Sequence, residues 1–305
     1  MIKLFVLLSL ILMPILNGFA DDIISGDSRR PLTKEEQARY SYVGVFSIEH
    51  YGSTGNYGSY DRCVVTLLTS DIMVTSASCV MGAMGISWKK ELDSAETFKD
   101  YQDLFRKNIH KFTAKFNYGT NEEFAVSIDD ILFEDIDKKM QVVFNEGYTH
   151  YFKAIPPHEL VYLKSKDASK KVKSPLYSWY SGDESGSATS ITFKKDRLLI
   201  DECYVVKKYQ SHEYSDVQLA SNNCDFTHDM GSPIFVQVNA EGKMSLAAIQ
   251  SSGRHLSHIM SERPGKSQDF YNQELEKGCG EVSTHCLNTA ISATTVIDKF
   301  NVISN

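Results

Sequence analysis

The stretch Cys63-Val-Val-Thr-Leu-Leu-Thr-Ser-Asp-Ile-Met-Val-Thr-Ser-Ala-Ser78-Cys79 decides the fold. Cys63 to Leu68 and Ile72 to Thr75 are β-branched and apolar, and Thr69-Ser70-Asp71 between them is a polar turn, so the pattern predicts two short strands about a turn. Similar runs lie on either side: Tyr42 to Ile48 before it, and after it Leu160 to Leu163, Ser190 to Phe193, Leu198 to Ile200, Cys203 to Val206, Ile234 to Val238 and Leu246 to Ile249. Many short strands separated by turns predict an all-β barrel or sandwich. Two segments carry helical spacing instead. Lys89 to Lys107 places Leu92, Phe98, Tyr101, Leu104 and Phe105 near a 3.6-residue period, and Ser292 to Phe300 reads as a short C-terminal helix.

The 305 residues carry 32 Lys and Arg against 39 Asp and Glu, a formal net charge of −7. That balance argues against a general nucleic-acid or membrane-surface binder, which would show a basic excess. A hydrophobic share of 42% is enough for a core and excludes wholesale disorder. No repeat and no Pro- or Gly/Ser-rich linker divides the chain.

The first residues set the compartment. Met1-Ile2-Lys3 is a short positive start, Leu4 to Met13 is an almost unbroken apolar run, and Gly18 and Ala20 supply small residues. Residues 1–20 therefore read as a secretory signal peptide cleaved after Ala20, and the run is too short for the ~20 residues of a membrane span. Export makes the cysteines legible. Cys63, Cys79, Cys203, Cys224, Cys279 and Cys286 are an even set with no CxxC pair, which favours disulfides over a metal site. Sequence neighbours suggest Cys63–Cys79, Cys203–Cys224 and Cys279–Cys286, but six cysteines allow about fifteen pairings and the choice stays open at this point.

Several motifs share one resemblance. The stretch from Cys63 to Cys79 resembles, without a gap, the first signature of the chymotrypsin/trypsin-like serine proteases, C-G-G-x-L-I-x-x-x-x-V-L-T-A-A-H-C. His228-Asp229-Met230-Gly231-Ser232-Pro233-Ile234-Phe235 resembles the family's G-D-S-G-[GS]-P-[LIV]-[VF]. Glu159-Leu-Val-Tyr-Leu-Lys164 is similar to the D-I-A-L-L-K strand, and Tyr148-Thr-His-Tyr-Phe152 to its H-P-x-Y lead-in. Ala247 to Gly253 is similar to the G-I-x-S-W-G wall of the cleft, Ile23-Ile-Ser-Gly26 to the mature I-V-G-G terminus, and Ser178-Trp179-Tyr180 to G-W-G. The matches keep the family order from residue 23 to the C-terminal region. The resemblance implies two packed six-stranded antiparallel β-barrels, residues 24–165 and 177–290, with a helical insertion after the first disulfide and a C-terminal helix over 292–302. It implies the Cys63–Cys79 pairing.

The resemblance also places catalytic roles, and the residues present do not suit them. Acyl transfer by such a site needs a hydroxyl nucleophile, an imidazole base and an orienting carboxylate. Ser78 stands at the base position, and a serine hydroxyl does not take up a proton at neutral pH as an imidazole does. Met230 stands at the nucleophile position, and a thioether has no proton to lose and forms no acyl-enzyme. Glu159 keeps the charge of the carboxylate with one more methylene. His228 stands where a glycine turns its N–H toward the oxyanion, and a Cβ restricts that turn. Loss of the nucleophile or base alone removes orders of magnitude of rate. The expectation is a non-catalytic protease homologue. The alternative is an endopeptidase using displaced groups, with Ser78 or Ser232 as nucleophile and His228 or His158 as base. Family activation frees the Ile23 amine to pair with Asp229; residue 22 is Asp, which bars cleavage after a basic residue, so a zymogen-like state is expected.

The remaining features point less sharply. Lys164, Lys166, Lys170, Lys171 and Lys173 form a basic run, and Asp129, Asp130, Glu134, Asp135 and Asp137 an acidic one. Both read as charged surface, and the acidic run lacks the ligand spacing of a calcium loop. No cofactor and no metal is expected. The expected partner is an extracellular protein, such as a protease or an inhibitor, with no nucleic acid and no membrane span.

Overall fold

The computed structural model describes residues 29–51, 57–77, 79–80, 84, 91, 94–133, 141–143, 152–154, 160–172, 178–179, 186–194, 196–210, 215–221, 231–237, 244–252 and 287–304. It is mostly β, built as two antiparallel sheets with short helices. Among the described residues, seventeen strands follow in chain order: β1 (Arg30–Pro31), β2 (Val43–Tyr51), β3 (Tyr57–Leu67), β4 (Ile72–Ser76), β5 (Phe112–Phe116), β6 (Phe124–Ser127), β7 (Asp130–Leu132), β8 (Gln141–Val143), β9 (Phe152–Ala154), β10 (Leu160–Lys164), β11 (Ser178–Trp179), β12 (Gly186–Lys194), β13 (Arg197–Gln210), β14 (Ser215–Ser221), β15 (Pro233–Gln237), β16 (Met244–Ser252) and β17 (Leu287–Ser292).

The first sheet runs β6-β5-β2-β3-β4-β10-β7, and β8 and β9 pair only with each other. Its two end strands are neighbours in the chain. Between them the Ile128 N–H donates to the Phe112 carbonyl at 3.4 Å and the Asp129 N–H to the Lys164 carbonyl at 2.7 Å. One short segment thus bonds to β5 on one side and to β10 on the other, which curls the sheet. The second sheet runs β13-β12-β15-β16-β17-β14, and β14 also pairs with β13. The two-residue strands β1 and β11 add to β13 and β16, β11 in parallel.

Alternation explains the strands. In β5 the burial alternates, with Phe112, Ala114 and Phe116 inside, as a half-buried strand should. In β4 every residue is buried, because one face meets its own sheet's core and the other meets the second sheet. The core runs across both sheets: Val45, Phe46, Ile48, Val65, Leu67, Met73 and Tyr162 from the first join Ile191, Phe235, Leu246, Ile249 and Ile291 from the second. Tyr40, Tyr42 and Phe235 form a ring cluster at this junction, at centroid distances of 5.4 to 6.3 Å. Burial raises both tyrosine pKa values above the ordinary 10.0, because the phenolate is disfavoured away from water.

The insertion helix is shorter than the sequence pattern predicts. It spans Phe98–Lys107, and Glu91 and Ser94 before it are also helical. Ala95 and Glu96 are not helical, and Thr97 starts a new helix as its N-cap. The Thr97 hydroxyl accepts from the Asp100 N–H at 3.3 Å while the Asp100 carboxylate accepts from the Thr97 N–H at 2.8 Å, a reciprocal capping box. Phe98, Tyr101, Gln102 and Phe105 face inward. Phe105 stacks on Phe112 at 4.1 Å and Phe98 lies 5.0 Å from Phe133. Arg106 pairs with Asp130 through two bonds of 2.7 and 3.0 Å, which raises the guanidinium pKa. The Gln102 amide, turned to satisfy both ends, accepts from Arg106 and donates to the Ile131 carbonyl.

The C-terminal helix spans Ala293–Ser304. The Ser292 hydroxyl accepts from the Thr295 N–H at 3.3 Å at its start. It packs on β16 and β17 of the second sheet and also reaches the first: the buried Tyr162 hydroxyl donates to the Val296 carbonyl at 2.7 Å, and the Tyr162 and Phe300 rings lie 5.8 Å apart. The polar stretch before β2 also contains structure. A helix over Lys34–Arg39 carries its own capping box between Thr33 and Glu36. No helix among the described residues is long and apolar enough to cross a membrane.

Candidate functional site

Ser78, Glu159, His228 and Met230 lie outside the described residues, as do Cys224, Cys279, Cys286, His158, Ile23 and Asp229. Their described neighbours define the geometry. Ser76, the last residue of β4, is two positions before Ser78, and it pairs with Leu160, the residue after Glu159. Gly231, the residue after Met230, packs on the same place. Its φ is +89°, a backbone region open to glycine at no steric cost. A Cβ built there would overlap Thr75 Oγ1, lie 2.7 Å from the Val64 carbonyl oxygen and 3.2 Å from the Ser76 nitrogen. Three chain segments far apart in sequence therefore meet at the end of β4, where the two sheets touch.

Hydrogen bonds fix this meeting point. The Thr75 hydroxyl donates to the Val64 carbonyl at 2.7 Å, so its oxygen is held on the surface that Gly231 contacts. The Gly231 N–H donates to the Gln250 carbonyl at 2.7 Å, and the Gln250 N–H donates to the Ser232 carbonyl at 2.9 Å. The turn is thereby an extension of β15 pairing with β16. Beyond β4 the Ser76 hydroxyl accepts from the Cys79 N–H at 3.2 Å. Cys79 is bonded to Cys63 of β3, with Cα atoms 6.1 Å apart, both sulfurs buried. The pairing implied by the resemblance is present. Cys203 lies in β13, and the other two pairings fall outside the described residues.

Of the groups named in the displaced-nucleophile alternative, Ser232 alone is among the described residues. Ser232 is fully buried, and its hydroxyl has no hydrogen-bond partner among the described residues. Its neighbour on β16, Gln250, is likewise fully buried. Sequence reasoning passed over Gln250 and Thr75. Nothing local in the sequence named Thr75 as the surface that Gly231 approaches.

Described members of the charged runs make local contacts. The Asp129 carboxylate accepts from the Lys166 N–H at 2.6 Å and Asp130 holds Arg106, so the start of the acidic run ties β7, β10 and the insertion helix together. Lys171 donates to the Ala125 carbonyl at 3.0 Å from a four-residue helix, Ala168–Lys171. At the opposite end of the chain Arg30 clamps Glu36 with bonds of 2.8 and 2.7 Å. The Arg30 guanidinium is the main cause of a Glu36 pKa lowered to about 2, against desolvation and with help from Thr33. Compared with protein-family models and with curated proteins, the chain matches none.

Proposed function

We propose that the chain is a secreted, non-catalytic homologue of the trypsin-like serine proteases, acting by binding an extracellular protein. The fold part of the proposal is two packed six-stranded barrels. Strand order supports it. Counting β6 and β7 as two halves of one bent strand, the first sheet pairs its six strands in the order 1-2-3-6-5-4. The second sheet, from β12 to β17, pairs its six in the same order, with the first and fourth strands adjacent in each. Two sheets of one topology in tandem are what a double barrel of this family needs.

One observation carries the functional part. The neighbours of the three catalytic positions, Ser76, Leu160 and Gly231, converge at the junction of the sheets, while the catalytic positions themselves hold Ser78, Glu159 and Met230. The scaffold of a hydrolytic site is retained around groups that neither attack nor deprotonate. A retained scaffold with lost chemistry leaves its cleft and loops for recognition, and the partner class is a protease, an inhibitor or another secreted protein.

A fluorophosphonate probe and immobilised ligands test this together. The purified secreted chain is expected to take no label at any serine, and to retain a protease or inhibitor from the fluid into which it is exported. Labelling that disappears on mutating a single serine would overturn the non-catalytic reading.

A further inference from the structure

The face of the second sheet that carries Ser232 holds a second feature. Ser190 of β12 pairs with Ile234 of β15, and Ile234 pairs with Ala248 of β16. β12 pairs with β15 as far as Ser190 and Ile234, and the same register continued by two residues would set Thr192 opposite Ser232. Gln250 comes opposite Ser232 on the other side, as their backbone bond shows. Ala290 of β17 pairs with Gln250. Because residues directly opposite share a face, Thr192, Ser232, Gln250 and Ala290 form one row across four neighbouring segments. All four are fully buried. The Thr192 hydroxyl, the Ser232 hydroxyl and both ends of the Gln250 carboxamide have no hydrogen-bond partner among the described residues. The Ser190 hydroxyl in the next row is in the same condition.

Isolated orphan hydroxyls occur in folded proteins, but a whole carboxamide flanked by two of them in one row does not fit a dry apolar core. Ala188, Ala248 and Ala290 line this face beside Ser190 and Ser232, together with the larger Ile234 and Val236. We propose that the row Thr192–Ser232–Gln250 is a binding site for ordered internal water, which links β12, the Gly231–Ser232 turn and β16. The groups of the row are neutral, so it offers no counter-charge for an ion. Each hydroxyl both donates and accepts, and the carboxamide does so at separate atoms, which matches a molecule with two donors and two acceptors. The row is sealed from bulk solvent, so the occupant is small, and polar chambers hold water where apolar ones stay empty. The site is independent of whether the chain hydrolyses peptides.

The test is a crystal structure of the full secreted chain, at a resolution that shows solvent, together with melting of Thr192→Val, which keeps shape and removes the hydroxyl. The expected result is water within hydrogen-bond distance of the Gln250 amide and of at least one of the two hydroxyls. Thr192→Val is expected to lower Tm by about 2–4 °C, the shift that loss of one satisfied buried bond produces in a chain of this size. The proposal falls if the Gln250 amide is bonded to protein groups or if the row is dry. It falls equally if Thr192→Val leaves Tm unchanged or raises it, since removing an unpartnered hydroxyl from a dry core is neutral or stabilising.

Discussion

Gly231 lies against Thr75 so closely that the glycine's missing Cβ is the space occupied by the threonine hydroxyl. That hydroxyl cannot retreat, because it is bonded to the Val64 carbonyl, and the carbonyl would itself be 2.7 Å from the added atom. The two sheets are therefore joined at a point where a glycine with φ of +89° meets the end of β4.

Gly231→Ala is accordingly expected to destabilise the chain by about 2 kcal/mol or more, from positive-φ strain plus an overlap with fixed backbone. Denaturant unfolding with an unchanged m-value measures it. A variant as stable as the parent would mean that the turn does not seat on β4.

The Cys63–Cys79 bond closes a separation of 16 residues. Replacing both cysteines by alanine is expected to cost about 3 kcal/mol on the loop-entropy estimate. Thermal melting of the double variant against the parent is the measurement. The loss should also loosen the segment that enters the candidate site, since Cys79 is the residue after Ser78.

Phe105→Ala should separate the insertion helix from the first sheet. Phe105 is fully buried and stacked on Phe112, and truncations of this kind cost about 3–5 kcal/mol. Arg106→Ala removes only a half-exposed pair with Asp130 and is expected to cost about 1 kcal/mol or less. Hydrogen exchange over residues 98–107 distinguishes the two: fast opening in the first variant, near-parental protection in the second.

The Arg30–Glu36 clamp sets a pH dependence. The Glu36 pKa is depressed from an ordinary 4.5 to about 2. A depressed carboxyl contributes stability that is fully present above its ordinary value and is lost as pH falls through the folded value. Loss of the N-terminal clamp is thus expected between pH 4.5 and about 2. A carboxyl titration followed by NMR should place the Glu36 midpoint at the low end of that window, and Arg30→Ala should move it upward.

Much of the fold was written in local pattern. The runs Cys63–Leu68, Ile72–Thr75 and Leu160–Leu163 appear as strands because β-branched and apolar side chains suit a buried pleated surface. Leu198–Ile200 and Cys203–Val206 proved to be one strand, β13. The polar Asp201-Glu202 pair that separated them in the sequence does not break it, and Asp201 is buried. The break at Ala95 and Glu96 inside the expected helical stretch escapes the apolar period, which alone does not mark a boundary, whereas Thr97 and Asp100 at capping-box spacing do. Strand β1 escaped notice for a different reason: two residues ending in a proline carry no period, and only β13 gives them a partner.

The candidate site divides the same way. Its chemistry is a matter of residue identity, so Ser78 and Met230 were informative without coordinates. Its assembly is non-local: nothing near Gly231 in the sequence names Thr75, and nothing near Gln250 announces a buried carboxamide. Those relations arise only when β4, β10, β15 and β16 come together.

The central claim is that the chain keeps a protease scaffold around groups that do not hydrolyse. Incubation of the homogeneous secreted chain with a diverse peptide library, with products read by mass spectrometry, tests it most directly. The account predicts no cleavage above the uncatalysed background, for wild type and for Ser232→Ala alike. Saturable cleavage at defined bonds, abolished by substitution of one serine in this chain, would contradict it.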